Sequence, residues 1–338
     1  SYNPEIIDTE NYGLENCDMI ENDFTGAYQS TAPLLEAQQY IFTNKNSIES
    51  IFELQYSSGE QENSAVNHLY GYSTGSHLEV SQDALGVCYG GWGNAKYDSR
   101  MWVGAQNLVT TGSSSSSTAL SGYYCVKWQR PEVFWTGQQT SREIKNVEIS
   151  TNKWCNWIIY RMTDVMLMKA EALACIGGAA NNTLAKNIVN AIHRRSFCNY
   201  NESKPVSPDL TSGSTNGNAT NNSDIVVMVL NERQIELLGE GKRWFDLVRY
   251  AERNSDSASE AADEREATEE KHVGNGQKGM IKMVDTFLRN AYSNYYTTLK
   301  NRFKNRYGLY SPIYYMDVKA SDGKLHQNPV WNKSKYDQ

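Results

Sequence analysis

A basic surplus is what this sequence most plainly lacks. Among 338 residues, 32 Lys and Arg face 39 Asp and Glu, for a net charge of −7. Nucleic-acid binding needs clustered cations to neutralise phosphates, so neutral or small partners are expected instead. Long apolar runs are also missing, since no stretch approaches the ~20 residues of a membrane span. The N-terminal SYNPEIIDTE has neither the basic start nor the apolar core of an export signal. Cys17, in Leu14-Glu15-Asn16-Cys17, lacks the small residue and apolar run of a lipoprotein processing site. The six cysteines, at 17, 88, 125, 155, 175 and 198, show no CxxC and no zinc spacing, and most are read as buried thiols. No GxSxG, HExxH, Walker or GxGxxG pattern is present, and the glycines of Tyr89-Gly90-Gly91-Trp92-Gly93 open no helix that could cradle phosphate. Neither metal nor cofactor is expected.

What the chain does have is length for a core, in one large or two modest domains, and many rings: 22 Tyr and 8 Trp. Much of this aromatic content falls between residues 57 and 137, in Gly- and Ser-rich sequence with little periodicity. Tyr70-Gly71-Tyr72, Tyr89 to Asn94 and Tyr97 to Trp102 are three such clusters. Long loops in a compact protein usually carry function, although most rings in any protein are packing.

Helical patterning governs the rest. Asp224 is placed to cap a helix, and Ile225 to Tyr250 runs without proline as a helix pair hinged near Gly239 and Gly241. Trp244, Phe245, Leu247 and Val248 form one apolar surface there. Glu232, Glu236 and Glu240 recur every four residues, a repelling stripe unless cations meet it, and Arg233, Lys242 and Arg243 are the nearby candidates. Trp154 to Gly178 reads as a second helix. Two apolar rows, Ile159/Met162/Met166/Ala170/Leu173 and Val165/Met168/Ala172/Cys175, predict that it is sandwiched, with Arg161, Asp164 and Glu171 on the remaining side. Gly177-Gly178 stops it, and a short Asn-rich turn leads to a helix over Leu184 to Phe197 with Ile188, Val189 and Ile192 inward and His193 as a packing or surface residue. Earlier, Phe52, Leu54 and Tyr56 alternate with Glu53 and Gln55, which predicts a strand. Residues 254–279 are an acidic, small-residue insertion.

Several ordered phrases resemble one family. Asn231-Glu232-Arg233-Gln234-Ile235-Glu236-Leu237 followed by Glu240 to Arg249 resembles the signature helix of the SusD/RagB family, surface glycan-binding lipoproteins of Bacteroidota. Tyr160 to Leu173, Val189 to Arg195 and Ile48 to Tyr56 are similar to its other motifs, Ser121 to Trp128 to one of its strands, and Tyr97-Asp98-Ser99-Arg100 to its turn. Leu309-Tyr310-Ser311-Pro312-Ile313 and Leu325-His326-Gln327-Asn328-Pro329 resemble its closing motif, with Tyr314 for the second proline and Val330 for the usual glycine. The resemblance runs from Ser47 to Trp331. It implies a mainly α fold of tetratricopeptide-like α-hairpin repeats, with long aromatic-rich loops and a few short strands. The organisation expected is a remnant of an N-terminal helical region over 1–46, a loop-rich region over 47–152, and a helical C-terminal region over 153–338.

The resemblance implies non-catalytic capture of a glycan or oligosaccharide at the outer-membrane surface, and delivery to a SusC-like TonB-dependent transporter. The membrane attachment would be a lipid anchor outside this chain, and the family's further N-terminal repeats, which supply one wall of its glycan site, are expected to be missing here. In such a site sugar faces stack on exposed rings, with polar side chains meeting hydroxyls. Trp92 is the leading candidate, with Tyr72, Tyr89, Tyr97 and Trp102 beside it and Asn94 and Arg100 as polar partners. A repeat scaffold that binds protein or peptide is the alternative. A glycoside hydrolase needs two opposed carboxylates, one of raised pKa, whereas Glu232 and Glu236 point the same way among arginines that keep them ionised.

Overall fold

The structure is a computed structural model. It describes residues 41–43, 45–70, 79–80, 100, 109–110, 118–119, 123–125, 127–128, 130–136, 143–150, 154–196, 210, 225–254, 293–303, 309–328 and 331. The chain forms two compact units, Ser1–Gly241 and Lys242–Gln338.

In the first unit the elements are β1 (Ser50–Leu54), α1 (Ser64–Tyr70), β2 (Glu79–Val80), β3 (Val109–Thr110), β4 (Thr118–Ala119), β5 (Tyr123–Tyr124), β6 (Arg130–Thr136), β7 (Glu143–Ser150) and β8 (Trp157–Arg161). The helices α2 (Met162–Ile176), α3 (Ala179–Ser196) and α4 (Ile225–Glu236) follow. Among the described residues the sheets are antiparallel pairs: β1 with β8, β2 with β5, β3 with β4, and β6 with β7. The helices α2 and α3 form a hairpin and α4 packs on both, the tetratricopeptide-like arrangement expected. Positive φ at Gly177 and Gly178 turns the chain between them, where the Gly177 amide closes α2 on the Leu173 carbonyl.

Several expectations fail, each for a local reason. The helix predicted from Trp154 begins eight residues later, because Trp157-Ile158-Ile159-Tyr160 is a continuous apolar, β-branched run that pairs with β1. The helix α3 begins at Ala179 rather than Leu184, with the Asn-rich turn inside it: the Asn181 amide donates back to the Gly177 carbonyl at 2.8 Å. Nor is α2 sandwiched. Met166 and Ala170 are buried, but Val165, Met168, Ala172 and Cys175 are exposed, while Asp164 and Glu171 lie inside. The acidic side can face inward because cations meet it, as where Arg233 Nη1 stands 2.9 Å from Asp164. Cys125 and Cys155 are buried as expected, and Cys175 is not.

Strand β1 exists but is turned over. Phe52 and Leu54 are exposed, and Glu53 is half-buried, accepting the Asn46 amide and the Asn156 side chain at 2.7 Å each. Register slips on both sides of Phe52 change which residues share a face. The β6–β7 hairpin escaped the sequence reading for a related reason. A register shift between Phe134 and Trp135 sets Ile144 opposite Trp135 and Asn146 opposite Phe134, which breaks the period-two pattern.

Among the described residues of this unit, two cores form. Met166, Leu167, Ala170, Ala185, Ile188, Val189 and Ile192 meet Met228 and Val229 in an aliphatic core between α2, α3 and α4. An aromatic core gathers Phe42, Val66, Tyr70, Cys125, Trp128 and Ile235, with Trp157 packed against it. Trp128 is its centre, stacked on Tyr70 at 4.3 Å and on Trp157 at 5.5 Å, with Phe42 edge-on at 5.0 Å.

The second unit contains α5 (Arg243–Asn254), a 3-10 turn (Ser293–Tyr295), α6 (Tyr296–Phe303) and α7 (Tyr315–Ala320). Leu247 and Tyr250 are buried, and the Trp244 indole donates to the Leu309 carbonyl at 3.1 Å. Phe245 is exposed, so the apolar surface expected on this helix is split: Phe245 lies one residue before buried Asp246 and outside the inward stripe. The closing motif acts as a strap. Gln327 accepts the Ile313 amide at 2.9 Å and donates to the Ile313 carbonyl at 2.8 Å, while Asn328 and the Trp331 indole both donate to the Tyr310 carbonyl. Asp224, residues 254–279 apart from Asn254, and Cys17, Cys88 and Cys198 lie outside the described residues.

Candidate functional site

Between the two cores, α4 presents the acidic stripe, and the structure sets cations against it from segments far away in sequence. Arg100 Nη1 reaches Glu232 Oε1 at 2.5 Å and Glu236 Oε2 at 3.2 Å. Arg161, the last residue of β8, donates to Glu236 Oε1 at 3.0 Å, to Glu49 Oε2 at 3.2 Å and to both Glu240 oxygens at 2.8 Å. Lys127 Nζ donates to Glu240 Oε1 at 2.8 Å and to the Glu236 backbone carbonyl at 2.6 Å. His193 Nδ1 stands 3.6 Å from the other Glu232 oxygen, which places this histidine in the seam, as packing.

These groups are almost wholly out of water: Arg100 and Glu49 are 0% exposed, and Glu232, Glu236, Lys127 and Arg161 are each 1% exposed. Burial alone would push the Glu232 and Glu240 carboxyls up. Arg100 with His193 for the first, and Arg161 with Lys127 for the second, outweigh it and hold both below the ordinary carboxylate value. The same balance acts on Arg161. Burial disfavours its charge, and Glu240, Glu236 and Glu49 keep it protonated well above its usual range. The cations proposed from sequence were chain neighbours of the stripe, and helical neighbours are the natural first choice. The structure brings in Arg100, Lys127 and Arg161 instead, and sends Arg233 to Asp164.

Beyond the end of α4 the chain passes close to the aromatic core. Gly239 has φ +80°, and a Cβ there would lie 2.7 Å from the Cys125 sulfur. The Tyr70 hydroxyl donates to the Gly239 carbonyl. Burial raises the thiol pKa of Cys125, and that of Cys155 is pushed up to about 12, so neither is a ready nucleophile.

Of the seven ligand residues expected from sequence, Tyr72, Tyr89, Trp92, Asn94, Tyr97 and Trp102 lie outside the described residues. Arg100 is described, and it is in the interior. Its guanidinium meets Glu232 and Glu236 across the seam. The reason is electrostatic, since two carboxylates one helical turn apart on a buried face need a cation more than a neutral sugar does. Lys127, Arg161 and Glu49 were not singled out as seam residues, and only their place in the fold reveals them. The half-buried Trp157 packs on Trp128. Among the described residues, no group of three or more His, Cys, Asp or Glu could hold a metal ion, and no helix is long and apolar enough to cross a membrane.

Comparison with known proteins fits this architecture. The SusD family model matches residues 81–331, which is 251 of the 338 residues. A SusD-like protein P38 of Formosa agariphila is 36% identical over 94 residues, covering 28% of this chain and 17% of that protein. Among solved structures, a SusD superfamily protein from Bacteroides vulgatus aligns over 92% of this chain and 56% of its own, with 18% identity and a TM-score of 0.48. The surface glycan-binding protein A from Bacteroides thetaiotaomicron, solved with laminarihexaose, aligns over 86% of this chain and 53% of its own, with 18% identity and a TM-score of 0.38. The chain thus spans about half the length of these solved relatives. With the family's motifs in order along α2, α3 and α4 and its model matched over three quarters of the sequence, this chain belongs to the SusD family.

Proposed function

We propose that this chain is the glycan-capturing part of a surface-exposed outer-membrane lipoprotein. It binds an oligosaccharide without cleaving it and passes it to a SusC-like TonB-dependent transporter. The observation that carries this reading is the family match over residues 81–331, which includes six of the seven residues expected to meet ligand. Sugar rings would stack on Trp92, with Tyr72, Tyr89, Tyr97 and Trp102 alongside and Asn94 bonding to hydroxyls. The seam argues against hydrolysis by its carboxylates. Glu232 is held ionised by Arg100 and His193 and is buried, whereas a glycosidase acid must keep its proton near neutrality and touch the scissile oxygen.

The test is retention of the protein in native gels cast with soluble glycans, followed by calorimetry against an oligosaccharide panel that includes laminarihexaose. Trp92→Ala is expected to weaken binding about five- to a hundredfold, if a sugar stacked on one ring contributes about 1–3 kcal/mol as a stacked base does. Unchanged retention of Trp92→Ala would remove Trp92 from the site. Absence of retention on every glycan would sink the capture reading. Co-purification with a SusC-like TonB-dependent transporter tests the partner.

A further inference from the structure

We propose that Tyr314 and Tyr315 form an outward stacking platform that takes the face of a neutral sugar ring in an oligosaccharide. The choice of ligand class rests on the capture reading above, and the two residues are ones that reading does not use. They stand at the start of α7, and both are exposed, Tyr314 at 61% and Tyr315 at 39%. Tyr310, Met316 and Leu325 are exposed close to them in sequence. Single apolar residues on a surface are ordinary, but five large ones from position 310 to position 325 make a patch.

The two rings meet edge to face, with centroids 5.0 Å apart and planes at 65°. An edge contact covers one face of one ring and leaves the other faces open, while each ring restricts the rotamers of its neighbour. The backbone is pinned on both sides of the pair. Before it, the Tyr310 carbonyl accepts the Asn328 side chain at 3.2 Å and the Trp331 indole at 2.9 Å, and Gln327 bonds to both the amide and the carbonyl of Ile313. After it, the Tyr314 carbonyl accepts the Asp317 amide at 3.0 Å and the Val318 amide at 3.2 Å.

Pinning matters because a ring that must be ordered on binding costs conformational entropy, and one ordered beforehand keeps more of what stacking contributes. Charge selects the class of ligand. Over residues 309–328 Asp317 and Asp322 are matched by Lys319 and Lys324, so no excess of either sign is there to draw a phosphate, an anionic sugar or a membrane headgroup. A neutral sugar needs none, since the C–H groups of one sugar face can lie on a tyrosine ring. A protein partner is less favoured, because a specific interface spans about 20–30 residues a side, several times what this patch gathers.

Calorimetry and hydrogen exchange on the whole chain test this, with laminarihexaose, maltohexaose, cellohexaose and xylohexaose as neutral probes. For the hexasaccharide that wild type binds best, Tyr314→Ala/Tyr315→Ala is expected to weaken binding at least fivefold while the thermal unfolding midpoint stays as in wild type. Tyr314→Phe/Tyr315→Phe, which keeps the stacking faces, should recover most of that loss. Adding the same hexasaccharide to wild type should slow exchange at least twofold in the peptide covering residues 311–320.

Wild-type affinity in the alanine variant, no recovery in the phenylalanine variant, or no protection over 311–320 would each overturn the platform. So would a variant that keeps its sugar affinity and loses co-purification with a SusC-like transporter, which would make the patch a protein contact. If the alanine variant does not fold, protection over 311–320 in wild type decides alone. When a hexasaccharide binds and is indifferent to the tyrosine pair, the platform falls and the capture reading stands. When none binds wild type, both fall. Loss in the alanine variant with Trp92→Ala unaffected would keep the platform and remove Trp92.

Discussion

The aliphatic core and the charged seam lie on the same helix and obey different rules. Met228 and Val229 of α4 meet Met166, Leu167, Ile188 and Ile192, a contact that any similar set of apolar side chains could make. Glu232 and Glu236 of that helix, with Glu240 beyond its end, meet Arg100, Arg161 and Lys127, where each charge is tolerable only because a particular opposite charge is present. The core is stabilised by area and forgives exchange. The seam is specified by identity, and its loss costs more than its presence contributes. A helix that faces both ways joins packing on one side to selection of distant segments on the other.

The sharpest way to break this comparison is Arg161→Met, which leaves Glu49, Glu236 and Glu240 short of a shared cation. A loss of about 3–5 kcal/mol is expected from urea unfolding, with part recovered in Arg161→Met/Glu240→Gln. Recovery in the double variant is the mark of a seam, and strict additivity would make the ion pairs incidental.

Acid reads the same difference. The folded Glu232 and Glu240 carboxyls titrate below their unfolded value of 4.5, so their contribution is complete above that pH and is lost as pH falls through the lowered values. Unfolding midpoints followed from pH 7 downward should therefore fall below pH 4.5. In Glu232→Gln that acid dependence should shrink, and if it stays as in wild type, Glu232 is not part of the linkage.

In the core, Leu167→Ala should cost about 2–5 kcal/mol by the same urea measurement, with Leu167→Met nearly neutral. An equally severe Leu167→Met would erase the distinction between the two regions. Gly239→Ala sharpens the boundary between them. Positive φ and the Cys125 sulfur together should cost about 1–3 kcal/mol, and the Cys125→Ala background should relieve the contact part alone. Least severe, Gln327→Ala in the second unit removes two hydrogen bonds to Ile313 and should lower stability by about 1–2 kcal/mol in thermal unfolding.

Legibility followed the range of the interaction. Helix hairpins with their stops at Gly177 and Gly178, and the inward Ile188, Val189 and Ile192, were readable because periodicity is a local property. Strand faces were not. The register slips around Phe52 and between Phe134 and Trp135 arise from pairing with a distant strand, and they changed the pattern a two-residue alternation would give. In sequence Arg100 stands among rings, and nothing near it announces two carboxylates 132 and 136 positions away. The acidic stripe is visible, and its need for cations follows from repulsion, but helical spacing does not reveal Arg100, Lys127 and Arg161, and Arg233 pairs with Asp164.

By itself the sequence determined that this chain is a mainly helical member of a recognisable family, with an acidic helix edge that must be neutralised. Order along the chain and periodicity along a helix hold that much. Only the tertiary structure decided which cations neutralise the edge, which face of β1 looks outward and that Arg100 is interior. Those outcomes depend on groups brought together across 75 to 136 positions, and a buried charge takes whichever opposite charge the fold places within reach.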